Sequence, residues 1–246
     1  PIVGHRSDFE ELKSEYESSS GFALGIDSLS STYTGIRRVV GDGNCFYSRC
    51  LLFSYVETLS TELNRANPAG SVELARIIGV VKASKEQLVQ AGYTEIAFET
   101  FYDMFLDLLQ SLPKASSEEW HSCFLNDESA DYYTWFMRLL TACSLKRNAA
   151  RFEPFLDAGY TGIADFCCRE VEPMGVECDY LQISALTEYL SVRVRIVYLE
   201  NKTALSDDVL PILPSTVEFP ESGDQEASFP AVHLLYRPGH YDMLYV

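Results

Sequence analysis

"AVHLLYRPGHYDMLYV", residues 231–246, decides the fold class. Two apolar runs flank Pro238-Gly239, a strong turn signal, so each run predicts a strand and the pair predicts a hairpin. "SVRVRIVYLE" (191–200) adds a third strand, with Val192, Val194, Ile196 and Tyr198 on one side and Arg193 and Arg195 on the other. Upstream the pattern changes to helical spacing, in "NCFYSRCLLFSYVETLSTEL" (44–63), "VELARIIGVVKAS" (72–84), "AFETFYDMFLDLLQSL" (97–112), "ADYYTWFMRLLTACSL" (130–145), "NAARFEPFLDA" (148–158) and "DYLQISALTEYL" (179–190). In "SDFEELKSEYES" (7–18), Ser7 and Glu10 have capping-box spacing and predict a helix start. Helices first and strands last predict an α+β fold, with helices packed around a small C-terminal, mainly antiparallel sheet. No repeat or linker divides the chain, so one domain over 1–246 is expected. Residues 201–230, rich in Pro, Ser and acid, predict a surface loop too interrupted by proline for a central strand.

The bulk composition narrows the function classes. Hydrophobic residues make up 47% of the 246, enough for a full core. A net charge of −17 argues against nucleic acid, which needs clustered Lys and Arg. It suits a basic protein partner or simple solubility. No apolar run is long enough to suggest a membrane span. The start at Pro1 has neither Met nor a leader pattern, so a truncated or processed form is expected. Seven irregularly spaced cysteines, two of them adjacent at 167 and 168, suggest reduced thiols in the cytosol or nucleus rather than a disulfide framework. With no CxxC or HxxxH spacing, neither a metal nor another cofactor is expected.

"GDGNCFYSRC" (41–50) places Cys45 at the start of a predicted helix, where Asp42 or Asn44 can cap the first turn and Gly43 lets the chain bend. A thiol there sits in positive potential, beside N–H groups free to donate to an oxyanion. By position alone Cys45 fits a buried cysteine under an ordinary cap equally well. Cys50, five residues on, falls about 140° around an α-helix, in line with Phe53 and Val56, and reads as core. Cys178 is a weaker nucleophile candidate. Among the four histidines, His5 lies in the start, His121 in an acidic helical segment and His233 inside an apolar strand. His240 begins a strand, and Asp242 two residues on shares its face, so the carboxylate can hold one ring nitrogen and turn the other toward a thiol. An exposed His beside an exposed Asp at a turn is the other reading of that pair.

"GDGNCFY", "EVEPMGVECDYLQISAL" (170–186) and "LLYRPGHYDMLYV" (234–246) together resemble the otubain branch of the ovarian-tumour (OTU) cysteine proteases. "SYVETL", "GYTEIAFETFYDMFLDLL" and "YYTWFMRLLT" extend the resemblance over nearly all the chain from Phe9 onward. It implies a papain-like OTU fold and a deubiquitinase that cleaves the isopeptide bond after the Gly-Gly terminus of ubiquitin. It implies Cys45 as nucleophile, His240 as general base, Asp242 as its orienter, and the backbone N–H groups of Asp42 and Cys45 as an oxyanion hole. The partners implied are ubiquitin and polyubiquitin chains. A binding role toward ubiquitin-conjugating enzymes, or cleavage of a related modifier such as that of the neddylation pathway, stands as the alternative. The binding role uses an arm N-terminal to the catalytic domain, of which little is expected here. The chain departs from the family pattern at Glu177-Cys178-Asp179-Tyr180, where Glu-Ser-Asp-His is usual, and at Ser48-Arg49-Cys50.

Overall fold

Pro238-Gly239 forms the predicted two-residue turn, with Gly239 at φ +74° in the conformation a Pro-Gly turn requires. It joins β5 (Val232–Arg237) to β6 (His240–Tyr245), in register from Leu234↔Met243 to Arg237↔His240. The computed structural model describes residues 3–16, 20–199, 214–220 and 229–246. Within them the hairpin lies at the centre of a six-stranded sheet of order β1-β2-β6-β5-β3-β4. β3 (Val194–Tyr198) runs parallel to β5, while the other pairings are antiparallel.

The sheet is larger than the C-terminal sequence predicts, because two strands come from the N-terminus. These are β1 (Val3–Ser7) and β2 (Gly35–Val39), and β2 pairs with β6. Ser7 therefore ends a strand instead of capping a helix. Helix α1 (Glu10–Glu15) starts after Phe9, and Asp8 Oδ1 accepts the Glu10 N–H at 3.1 Å in place of the expected capping box. β4 (Ser215–Phe219) falls inside the stretch expected to be loop. It occupies the outer edge of the sheet, where flanking prolines are tolerated. Residues 201–213 and 221–228 of that predicted loop lie outside the described residues.

Both faces of the sheet are covered. One face meets α1 and α2 (Ser20–Leu29) through Leu12, Ile26 and Leu29 against Ile36, Leu235 and Leu244. The other meets the main helical layer: α3 (Phe53–Asn64), α4 (Pro68–Gln90), α5 (Glu95–Ser111), α6 (Ser117–Leu125) and α7 (Asp127–Arg147). Short helices α8 (Ala149–Phe152) and α9 (Ile163–Phe166) lead to α10 (Tyr180–Leu190). The predicted helix over 148–158 stops early, since Pro154 follows in a 3-10 turn and cannot continue an α-helix.

α7 runs through the middle of the helical layer and carries a fully buried Arg138. Its guanidinium donates to the carbonyls of Gly43 (3.0 Å), Val171 (3.0 Å) and Val176 (2.7 Å) and to Asn44 Oδ1 (2.8 Å), and it lies 4.5 Å from the Tyr47 ring centroid. A buried cation is tolerable only with acceptors around it, and here four oxygens receive the two terminal nitrogens while Nε has no partner among the described residues. Replacing the arginine by Met takes the donor from three carbonyls, of which that of Val171 is buried and those of Gly43 and Val176 partly so. Arg138→Met should lower unfolding stability by about 3 kcal/mol or more, read as a lower urea midpoint at unchanged slope.

Candidate active site

Each residue of Asp42-Gly43-Asn44-Cys45 has a separate structural task. Asp42 Oδ1 accepts the Asn44 N–H at 2.9 Å, a local turn bond, and Oδ2 pairs with Arg49. Gly43 adopts φ +74°, and a Cβ there would fall 2.2 Å from the Gly175 carbonyl oxygen, so only glycine allows the two backbones to touch. Asn44 does not cap the following helix. Its Oδ1 receives Arg138 and the Gly175 N–H (2.9 Å), tying this loop to the segment before α10. Cys45 then opens a helical run through Asn64 whose first part, Cys45–Leu52, is π-helical and fully buried.

β6 brings the second half of the site. His240 and Asp242 share a face of the strand, as the two-residue spacing predicts, and His240 Nε2 lies 3.0 Å from Asp242 Oδ1. With Nε2 engaged, Nδ1 is the nitrogen left for a thiol, and Cys45 is near enough to act on the charge of the ring. Burial draws the His240 pKa down, but the bonds to Asp242 and Cys45 outweigh it and raise it to about 9. Asp242 has no solvent exposure. Burial pushes its carboxyl up, yet the bond from His240 and the charge of Arg237 hold it below its usual value. Oδ1 also accepts the Val39 N–H at 3.0 Å, and Arg237 Nη2 reaches Oδ2 at 2.6 Å.

Cys50 is core, as predicted, but not for the predicted reason. A π-helix bonds i to i+5, so residues five apart stack along one face instead of diverging. Cys50 consequently sits behind the site, fully buried, donating to the Tyr241 carbonyl at 3.3 Å, and burial pushes its pKa well up. Cys178 is also buried, with a pKa pushed up first by desolvation, which removes it as a nucleophile candidate. His121 stacks on Phe53, His233 Nδ1 lies 3.3 Å from the Tyr33 hydroxyl, and His5 belongs to β1. None of the three meets a thiol.

A cleft of about 750 Å³ opens from Cys45 between the segment before α10 and the β5–β6 turn. Asp157, Glu170, Glu177 and Asp179 line it, and Tyr236 and Tyr241 form part of its wall. Tyr180, half-exposed at the rim, packs its ring 5.4 Å from that of Phe219 on β4. The sequence reading missed Arg138, Arg237 and Gly41. Arg138 left one signal, a lone cation inside the apolar stripe "YYTWFMRLLT".

A thiol, an imidazole and a buried carboxylate in series, at a helix N-terminus facing a strand, define the site of a papain-like cysteine protease. Residues 1–246 match the family model described as Peptidase C65 Otubain, and the chain belongs to that family. It is 39% identical to "OVARIAN TUMOR DOMAIN-containing deubiquitinating enzyme 1" of Arabidopsis thaliana, across 100% of this chain and 81% of that one. It is 37% identical to "Ubiquitin thioesterase OTUB1" of Homo sapiens, across 100% and 83% respectively. A solved complex of ceOTUB1 with ubiquitin aldehyde and UBC13~Ub superposes with a TM-score of 0.84 at 32% identity, covering 100% of this chain and 93% of that one.

Two predictions follow from the geometry around His240. A Cβ on Gly41 would lie 2.9 Å from Nδ1, so Gly41→Ala must displace the ring. Its kcat/KM should fall about 100-fold, the usual effect of a misplacement near 1 Å, with KM little changed. The raised pKa also fixes a stability window. The imidazolium–Asp242 pair stabilises fully below the ordinary value of 6.5 and is lost as pH rises through about 9. Urea midpoints of the wild type and His240→Ala should differ at pH 6 and converge above pH 9.

Proposed function

We propose that this chain is a deubiquitinating cysteine protease that hydrolyses the isopeptide bond after the C-terminal Gly-Gly of ubiquitin. The observation that carries the proposal is the placement of His240 between the Cys45 thiol and the buried Asp242, at the end of an acidic cleft. In this reading the Cys45 proton rests on His240 Nδ1, as the raised pKa of the ring favours, and the sulfur attacks the glycine carbonyl carbon. The backbone N–H groups of Asp42 and Cys45 receive the developing oxyanion. Asp242 keeps the imidazolium oriented while it returns the proton to the leaving lysine amine, and the C–N bond breaks. The ring next takes a proton from water, hydroxide displaces the thioester sulfur, and the thiol is restored.

The cleft supports the choice of substrate. An extended tail bearing arginines suits a channel lined by four carboxylates, and the overall charge of −17 favours a partner with a basic face. Polyubiquitin chains are the proposed physiological substrates, and the seven unpaired cysteines suit the cytosol or nucleus. A second reading, binding of ubiquitin-charged conjugating enzymes, draws on the likeness to a structure that contains UBC13~Ub.

The test is reaction with ubiquitin carrying an electrophilic C-terminus, followed by intact mass. One ubiquitin should add to the wild type and to Cys178→Ser, and none to Cys45→Ala. A wild type that binds ubiquitin without forming the adduct would favour the binding role. Faster reaction with the equivalent probe built on a related modifier would reassign the substrate.

A further inference from the structure

The side of Asp242 turned away from His240 meets an ion network that the hydrolytic scheme does not use. Oδ2 accepts Arg237 Nη2 at 2.6 Å and Nε at 3.2 Å, and Arg38 Nε from β2 stands 3.5 Å away. Both guanidiniums then turn to the end of α1. Arg38 grips Glu15 with two bonds, of 2.8 and 3.1 Å. Arg237 Nη1 lies 3.7 Å from Glu15 and donates to the Tyr16 hydroxyl at 3.1 Å. Two cations facing one carboxylate would draw its charge away from the imidazole. Glu15 supplies the second anion, so the charge of Asp242 stays available to His240.

We propose that Glu15 and Arg38 are positioning residues that act through Arg237 and Asp242, so that the end of the N-terminal helix sets the charge felt by His240. The inference rests on the catalytic reading of Cys45, His240 and Asp242 given above. The groups around the pair are Cys45 and Cys50 from the π-helical turn, Glu177 beside Gly239, Arg38 from β2, Arg237 from β5, and Glu15 and Tyr16 from α1 and its end. The bond from Arg38 holds the Glu15 carboxyl below its usual pKa, so Glu15 stays charged wherever His240 titrates.

Glu15→Gln and Arg38→Gln break the same ion pair but remove charges of opposite sign. Any loosening of α1 is therefore common to both variants, while the electrostatic effect is not. The readout is the NMR titration of the His240 C2 proton, assigned by its loss in His240→Gln, which needs no turnover. Glu15→Gln should move the midpoint down by about half a pH unit and Arg38→Gln should move it up by a similar amount. The double variant should return close to the wild type. The pH dependence of kcat/KM on a ubiquitin amide should shift in the same directions on its alkaline side. Midpoints that move together, or stay fixed, would overturn the inference. Opposite titration shifts in the two variants, with no hydrolysis by the wild type, would instead overturn the catalytic reading and leave the network's effect standing.

Discussion

The buried guanidinium of Arg138 is the interaction on which the site's geometry depends. It is a cation inside an apolar helical layer, and its four acceptors lie on two segments, the loop before Cys45 and the stretch from Val171 to Val176, which the Gly175–Asn44 bond also joins. One loop presents Cys45, and the other forms a wall of the cleft. Desolvating a charge is costly enough that the acceptors cannot drift without a large loss of stability. Arg138 thus fixes the distance between Cys45 and the cleft wall, and Gly43 and Gly175 provide the close contact that distance demands.

The other half of the site rests on the sheet. A hydrogen-bonded strand pair at the centre of six strands places His240 with little freedom, and the carboxylate behind it is saturated by β2, β5 and the imidazole. Arg138 anchors the helical side and Asp242 the sheet side. The candidate site lies where the two meet, at the first turn of the helix that ends in α3. The division matches the layering of the fold, in which helices and sheet each bring one side of the candidate site.

What the sequence disclosed about this arrangement was mostly local. His240 and Asp242 are two residues apart, and strand periodicity alone puts them on one face. Cys45 directly follows a turn signal, so its place at a helix start was readable too, and the fold class followed from the contrast between helical and alternating segments. The partners of Asn44 were not readable, since Arg138 lies 94 residues away and nothing in the spacing links them. β1 and β2 were missed because short strands paired to a distant β6 carry weak periodicity of their own. β4 was hidden by the prolines that flank an edge strand. The Cys45–Leu52 turn escaped because one stripe of apolar residues satisfies α and π periodicity over so short a span.

That turn makes segment length a functional variable. A π-helix accommodates one more residue per hydrogen-bonded loop than an α-helix does. Deleting any single residue between Phe46 and Leu52 would let the segment relax into an α-helix and keep α3 packed on its neighbours. The rewound turn would shift Cys45 relative to α3, carrying its sulfur off the line to His240. Natural variation in this stretch should therefore exchange residues but conserve their number.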